Sequence, residues 1–114
     1  MSDDRVVSIE KRENGLIAAM QCKEMDFEAS EALKEAVAKA IAEGPGKRCV
    51  IDMSAVVFLP SVGIGILLQL LNESKARGGE FVLVGVNSEI REVLRITAIE
   101  KLFDFRDDLA VAFD

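Results

Sequence analysis

The chain has 114 residues with 20 acidic and 14 basic side chains, a formal net charge of -6 and a hydrophobic share of 50%. That length and apolar content fit one hydrophobic core and exclude an intrinsically disordered chain, so a single domain is expected over residues 1–114. The acidic balance, with no basic run longer than Lys47-Arg48, argues against a nucleic-acid partner, whose phosphates need clustered cations.

In chain order, residues 5–10 alternate around Val7 and Ile9 and read as a strand, and residues 16–22 read as a second. Asn14-Gly15 between them is a hairpin signal, because both residue types tolerate positive φ. Over residues 28–43 the period becomes helical, with Ala29, Leu33, Ala36, Val37, Ala40 and Ile41 on one face. Gly44-Pro45-Gly46 is the expected helix stop. Residues 48–53 hold Cys49, Val50 and Ile51 in a short apolar run, the pattern of a strand buried on both faces. Residues 55–59 are extended up to Pro60, and Ser61 is placed to cap a helix running to Ala76, where Gly78-Gly79 ends it. The first turns of this helix are apolar nearly all round, so it is either sandwiched or presents an apolar end to a partner. Residues 81–86 read as a strand. Residues 88–95 read as a helix with Ser88 as N-cap and Ile90, Val93 and Leu94 inside, residues 103–105 as an edge strand, and residues 107–113 as a final helix. The expected fold class is therefore α/β. It is a mixed four- to five-stranded sheet packed with three to four helices, in the order β-β-α-β-α-β-α(-β-α).

The chemistry-bearing residues are few. There is no His, Trp or Tyr, so the usual neutral-pH base, the commonest metal ligand and the usual stacking platforms are missing; no catalytic residue, metal or cofactor is expected. Cys22 and Cys49, each inside an apolar run, read as free buried thiols. The start, Met1-Ser2-Asp3-Asp4-Arg5, lacks signal-peptide character, and the longest apolar stretch is interrupted by Asp52, Ser54, Pro60 and Ser61. No membrane span is therefore expected, and the expected location is cytoplasmic.

Four constellations are candidates for chemistry. Gly63-x-Gly65 lacks the third glycine of a dinucleotide loop, since Leu68 stands there, and reads as a close approach between helix and sheet. Asp52, ending a strand, lies where a receiver domain keeps its phospho-acceptor, but no acidic pair follows the first strand; it reads as an acceptor for loop amides. The cysteines read as core. The fourth, Leu59-Pro60-Ser61-Val62-Gly63, places a hydroxyl at the start of an unusually apolar helix. A phosphate there would add a charge of about -1.5 to -2, tolerated by the helix N-terminus but repelled across a docked interface, which is the physics of an association switch.

At these residues the sequence resembles the STAS domain family, as in bacterial anti-sigma factor antagonists. The family's E-L-D before its first helix is similar to Glu24-Met25-Asp26. Its D-L-S-x-V-x-F-x-D-S-S-G-L-G resembles the stretch from Asp52 through Phe58, Leu59, Pro60, Ser61, Val62 and Gly63 to Gly65. Gly78-Gly79-Glu80-Phe81 resembles the family's G-G-E strand, and Val93-Leu94 with Phe103 its late hydrophobic pattern. The resemblance implies a non-enzymatic module that docks an anti-sigma factor of the GHKL serine-kinase type and is released when that kinase phosphorylates a serine at the second helix start. It implies a partner surface of Asp26, Phe58, Leu59, Pro60, Ser61, Val62, Gly63 and Ile66. One departure bears on the switch. The family's phosphoserine position is Val62 here and its acidic neighbour is Pro60, so either Ser61 is the acceptor, displaced by one residue, or phosphorylation does not regulate this chain. The alternative functional class is a soluble STAS accessory subunit of a lipid or anion transport system; a third is a receiver-like enzyme using Asp52. Oligomeric state is left open by the sequence.

Overall fold

The hairpin forms, with its turn offset by one residue from the expected pair. Strand β1 (Val7–Arg12) pairs antiparallel with β2 (Gly15–Met20), with Arg12 opposite Gly15, so the turn is Glu13-Asn14. Neither turn residue has positive φ. Gly15 follows the turn, where type I geometry favours glycine. The stronger reason for glycine is packing: a Cβ there would lie 2.0 Å from the Arg48 carbonyl oxygen on the neighbouring strand.

This computed structural model describes residues 6–42 and 48–114. The N-terminal segment and the Gly44-Pro45-Gly46 helix stop lie outside the described residues. After the hairpin come helix α1 (Phe27–Ala42), β3 (Arg48–Asp52), α2 (Ser61–Ala76), β4 (Glu80–Val84) and α3 (Ser88–Ile96). A 3₁₀ turn at Glu100–Leu102, strand β5 (Asp104–Arg106) and a second 3₁₀ turn at Leu109–Val111 complete the chain. From β2 onward every pairing is parallel, and one five-stranded sheet results in the order β1-β2-β3-β4-β5. Parallel neighbours need long crossovers, and α1, α2 and α3 are those crossovers.

The period-two alternation sorts the strand side chains into two cores. Leu16, Ala18, Cys49, Ile51, Phe81 and Leu83 face a large cluster built with α1 (Leu33, Val37), α2 (Leu67, Leu70) and α3 (Ile90, Leu94). Ile17, Val50, Val82 and Val84 point to the opposite face, where Ala112 and Phe113 of the C-terminal segment cover them. Arg48 clamps this segment, its Nη1 donating to the Ala112 carbonyl (2.9 Å) and the Asp114 carbonyl (3.0 Å), while the Arg12 guanidinium lies 5.5 Å from the Phe113 ring centre. The predicted final helix over residues 107–113 is thus corrected to a strap containing one short 3₁₀ turn, which starts with Asp108 Oδ1 accepting from Ala110 N.

Three further expectations are corrected. Ser61 does not cap α2: Pro60 is the capping residue, its carbonyl accepts from Gly63 N and Ile64 N, and Ser61 is already the first helical residue. Ser88 does not cap α3 either, because Asn87 does, its Oδ1 accepting from Ile90 N at 2.8 Å. Val93, expected inside, is exposed. At about 100° per residue it lies to one side of Ile90 while Leu94 lies to the other, and the core reaches only the Ile90–Leu94 side.

Candidate functional site

The site is assembled by the chain between β3 and α2. After β3, Asp52 Oδ1 accepts from Ser54 N (3.0 Å) and Ser54 Oγ (2.7 Å), turning the backbone away from the sheet. The loop then runs alongside the connection between β2 and α1. Val57 N and Phe58 N donate to the Lys23 carbonyl (2.7 and 3.0 Å), Met25 N donates to the Phe58 carbonyl (3.1 Å), and Glu24 and Phe58 form a parallel bridge. With these backbone groups satisfied by one another, the loop is held as a short extension of the sheet.

On the far side of that bridge, Asp26 caps α1 by accepting from Ala29 N at 2.9 Å, and the fully buried Ser30 hydroxyl donates to the Met25 carbonyl at 3.2 Å. The start of α2 is pressed against this same connection. A Cβ on Gly63 would meet Leu59 Cδ1 at 2.7 Å and the Met25 carbonyl oxygen at 3.0 Å, so a side chain there would force both to move. Gly65, by contrast, is exposed with open space around it, and the close-approach reading of Gly63-x-Gly65 holds for Gly63 alone.

The residues singled out in the sequence therefore divide into two groups. Asp26, Phe58 and Ser61 are exposed, and Pro60 and Val62 are half-buried. Leu59, Gly63 and Ile66 are buried and support the others from beneath. The apolar character of the α2 start comes mostly from sandwiching between α1 and β4, since Ile66, Leu67, Leu70 and Leu71 are interior. Surface apolarity lies nearby instead, at Val57 and Phe58 on the loop and at Val93 and Ile96 on α3. Sequence reasoning misses Val57 and Ile96 and misplaces Val93. The available signal is Ile96, which falls on the outer face of α3 at helical spacing from Val93.

Burial pushes the Cys49 thiol up to about 12, and burial, with a smaller contribution from the Asp26 charge, pushes Cys22 up as well. Both are free and in the protonated, unreactive form at neutral pH. No group of three His, Cys, Asp or Glu side chains among the described residues is arranged to hold a metal ion, and no helix among them is long and apolar enough to cross a membrane.

A mixed sheet with an N-terminal hairpin, three crossover helices and a loop-to-helix surface beside the first helix cap defines a single-sheet α/β domain. Residues 8–112 match the STAS domain model, and the chain belongs to the STAS domain family. The anti-sigma-F factor antagonist RsfB of Mycobacterium tuberculosis is 33% identical over 90 residues, which cover 79% of this chain and 72% of that protein. The crystal structure of an anti-sigma factor antagonist from Mycobacterium paratuberculosis superposes with a TM-score of 0.78 at 26% identity, covering 98% of this chain and 95% of that one. A point variant of RsbS from Moorella thermoacetica has the same fold, with a TM-score of 0.81 at 22% identity over 95% of this chain and 92% of the other.

Proposed function

We propose that the chain is a non-enzymatic cytoplasmic regulator that docks an anti-sigma factor of the serine-kinase type through the loop and helix start at residues 58–66. The observation that carries this reading is the fastening of that loop to the Lys23–Met25 backbone. It holds the exposed Phe58 and Val57 beside the α1 cap and the α2 start, a preformed apolar surface, in a chain whose relatives are anti-sigma factor antagonists. Asp26, Phe58, Pro60, Ser61 and Val62 form the contact surface; Leu59, Gly63 and Ile66 hold it in shape.

Phosphorylation does not switch this copy at the family's position, because Val62 offers no hydroxyl there. Ser61 is exposed in the first turn of α2, but one helical position is about 100° of rotation, so its hydroxyl does not take the direction of the family's phosphoserine. Val62→Asp puts a carboxylate on the docking surface, where it mimics the phosphate's charge while remaining compatible with the helix N-terminus. It should weaken binding to an anti-sigma factor from the same genome by about a hundredfold while leaving the circular dichroism spectrum unchanged. Unchanged affinity in a calorimetric titration would remove the surface from consideration. Intact mass after incubation with that factor and ATP should show no added phosphate on the wild type and one on Val62→Ser. A phosphate on the wild type that disappears in Ser61→Ala would instead assign the switch to Ser61.

A further inference from the structure

We infer that the groove between the 57–59 segment and α3 receives a helical segment of a partner protein whose apolar side chains are flanked by lysine or arginine. This deepens the docking reading above and rests on it for the existence of a partner. The groove has Leu59 and Ile90 as its floor and Val57, Phe58, Glu89 and Val93 as its walls. Val57, Phe58, Val93 and Ile96 are 59%, 54%, 44% and 70% exposed. Grouped exposed apolar side chains of this kind mark interaction surfaces.

The groove is built rather than incidental. Asn87 Nδ2 donates to the Val56 carbonyl (3.2 Å) while its Oδ1 caps α3, so one side chain ties the two walls together. The backbone bonds to Lys23 fix the opposite wall, so Val57 and Phe58 are kept from turning into the core. Along α3, Glu89, Val93 and Ile96 are spaced i, i+4 and i+7, a straight stripe of roughly 10 Å. A stripe of that shape is matched by the ridge of another helix with its own i, i+3 or i+4, i+7 anchors.

Charge selects the occupant. Glu89 forms one wall, and among the described residues it has no ion-pair partner. Glu92 is already engaged by Arg95, and Arg91 by Glu100, so those positions are locally neutral. The chain as a whole carries -6, which opposes a second copy in this groove and favours a cationic partner.

The test uses the ¹⁵N-labelled full chain and two alanine-based helical peptides of about 16 residues, long enough to hold helix. Both carry leucine at i, i+3 and i+7; one has lysine and the other glutamate at the flanking positions. The lysine peptide should shift the amides of Val57, Phe58, Glu89, Val93 and Ile96 and bind about tenfold or more tightly than the glutamate peptide. Glu89→Lys should abolish that preference, and Val93→Ser, at an exposed position, should weaken binding of the lysine peptide while leaving the free spectrum dispersed. Equal affinity for the two peptides, absence of binding, or shifts confined to other residues would overturn the proposal. So would concentration-dependent shifts of the same amides without peptide, which would give the groove to a second copy. Titrating the anti-sigma factor with the same variants separates the two readings. Loss with Val62→Asp but not with Val93→Ser would keep the docking function and remove the groove from it. An anti-sigma factor that ignores the wild type while the lysine peptide occupies the groove would do the reverse.

Discussion

Two glycines two positions apart in α2 have opposite expected effects, because their surroundings differ. At Gly63 an added methyl meets the Leu59 side chain at 2.7 Å and the Met25 carbonyl at 3.0 Å. Leucine can rotate; the backbone carbonyl must shift. Overpacking of about 1–3 kcal/mol opposes a helix-propensity gain of about 1 kcal/mol, so Gly63→Ala should destabilise by up to about 2 kcal/mol. It should also perturb the Phe58 loop that leans on the same carbonyl-bearing segment. At Gly65 nothing lies within 4 Å, and Gly65→Ala should stabilise by about 0.5–1 kcal/mol. Urea midpoints of the two variants check the signs. Cys49 makes a separate prediction at this scale. Its thiol is held to about 12 in the folded chain, above its value in the unfolded chain, so the folded state keeps its proton longer. The stabilising contribution is complete below pH 9, is lost as pH rises from there, and approaches about 1.4 kcal/mol per pH unit until pH nears 12. Cys49→Ala removes that slope, and comparing unfolding free energies of the two proteins at pH 8 and pH 10 isolates it from other alkaline titrations.

At the scale of elements, α3 is capped by a side chain that the sequence reading passed over in favour of Ser88. Asn87-Ser88 offers two capping residues in a row, and either is chemically competent. The choice falls on Asn87 because its amide has a second use: Nδ2 reaches the Val56 carbonyl while Oδ1 receives Ile90 N. Asn87→Ala should cost about 1–2 kcal/mol, a cap plus a hydrogen bond to a partly buried carbonyl, and should loosen the wall formed by Val57 and Phe58. Chemical denaturation gives the first quantity and hydrogen exchange at the Val57 and Phe58 amides the second. The same logic explains the offset cap of α2. Proline's fixed φ and its free carbonyl suit the position before the first helical turn, so Pro60 takes the cap and Ser61 stands at the surface as the first helical residue. Elements with a strong internal pattern, the helical period of α1 and the continuous apolar runs of β3 and β4 above all, were legible because their own side chains carry the signal. The caps were not, because neighbouring competent residues are distinguished only by tertiary partners.

At the scale of the whole molecule, the sheet is protected unequally. Three helices cover one face; the centre of the other is covered by the C-terminal strap, with Ala112 fully buried over Ile17, Val50, Val82 and Val84. Arg48 joins the strap to β3 and also to Glu80 of β4 at 2.9 Å, so strap and sheet centre share one cation. Ala112→Asp would place a carboxylate on this apolar face and should undock the strap. Destabilisation of about 2–4 kcal/mol and new binding of a hydrophobic fluorescent dye are the expected outcomes. An unchanged denaturation midpoint would show that the strap contributes nothing to the sheet.

By itself the sequence determined the element order, the mixed sheet, the family resemblance and the absence of histidine chemistry. The element order, the sheet and the missing histidine chemistry are written in local periodicity, in turn residues or in composition, while the resemblance rests on the motifs at Glu24-Met25-Asp26, Asp52 to Gly65 and Gly78 to Phe81. It also marked the loop before α2 as the place of interest, through Pro60 and Ser61 ahead of an apolar helix. Tertiary structure alone decided which of those residues reach the surface. Leu59, Gly63 and Ile66 are as apolar or small in the sequence as Val57, Val62 and Val93, yet the first three are buried, Gly63 against Leu59 and Met25, while Val57 and Val93 are exposed and Val62 half-buried. Hydrophobicity says that a side chain prefers to leave water, but only packing decides whether there is a neighbour to receive it; where there is none, the surplus apolar surface is left for a partner.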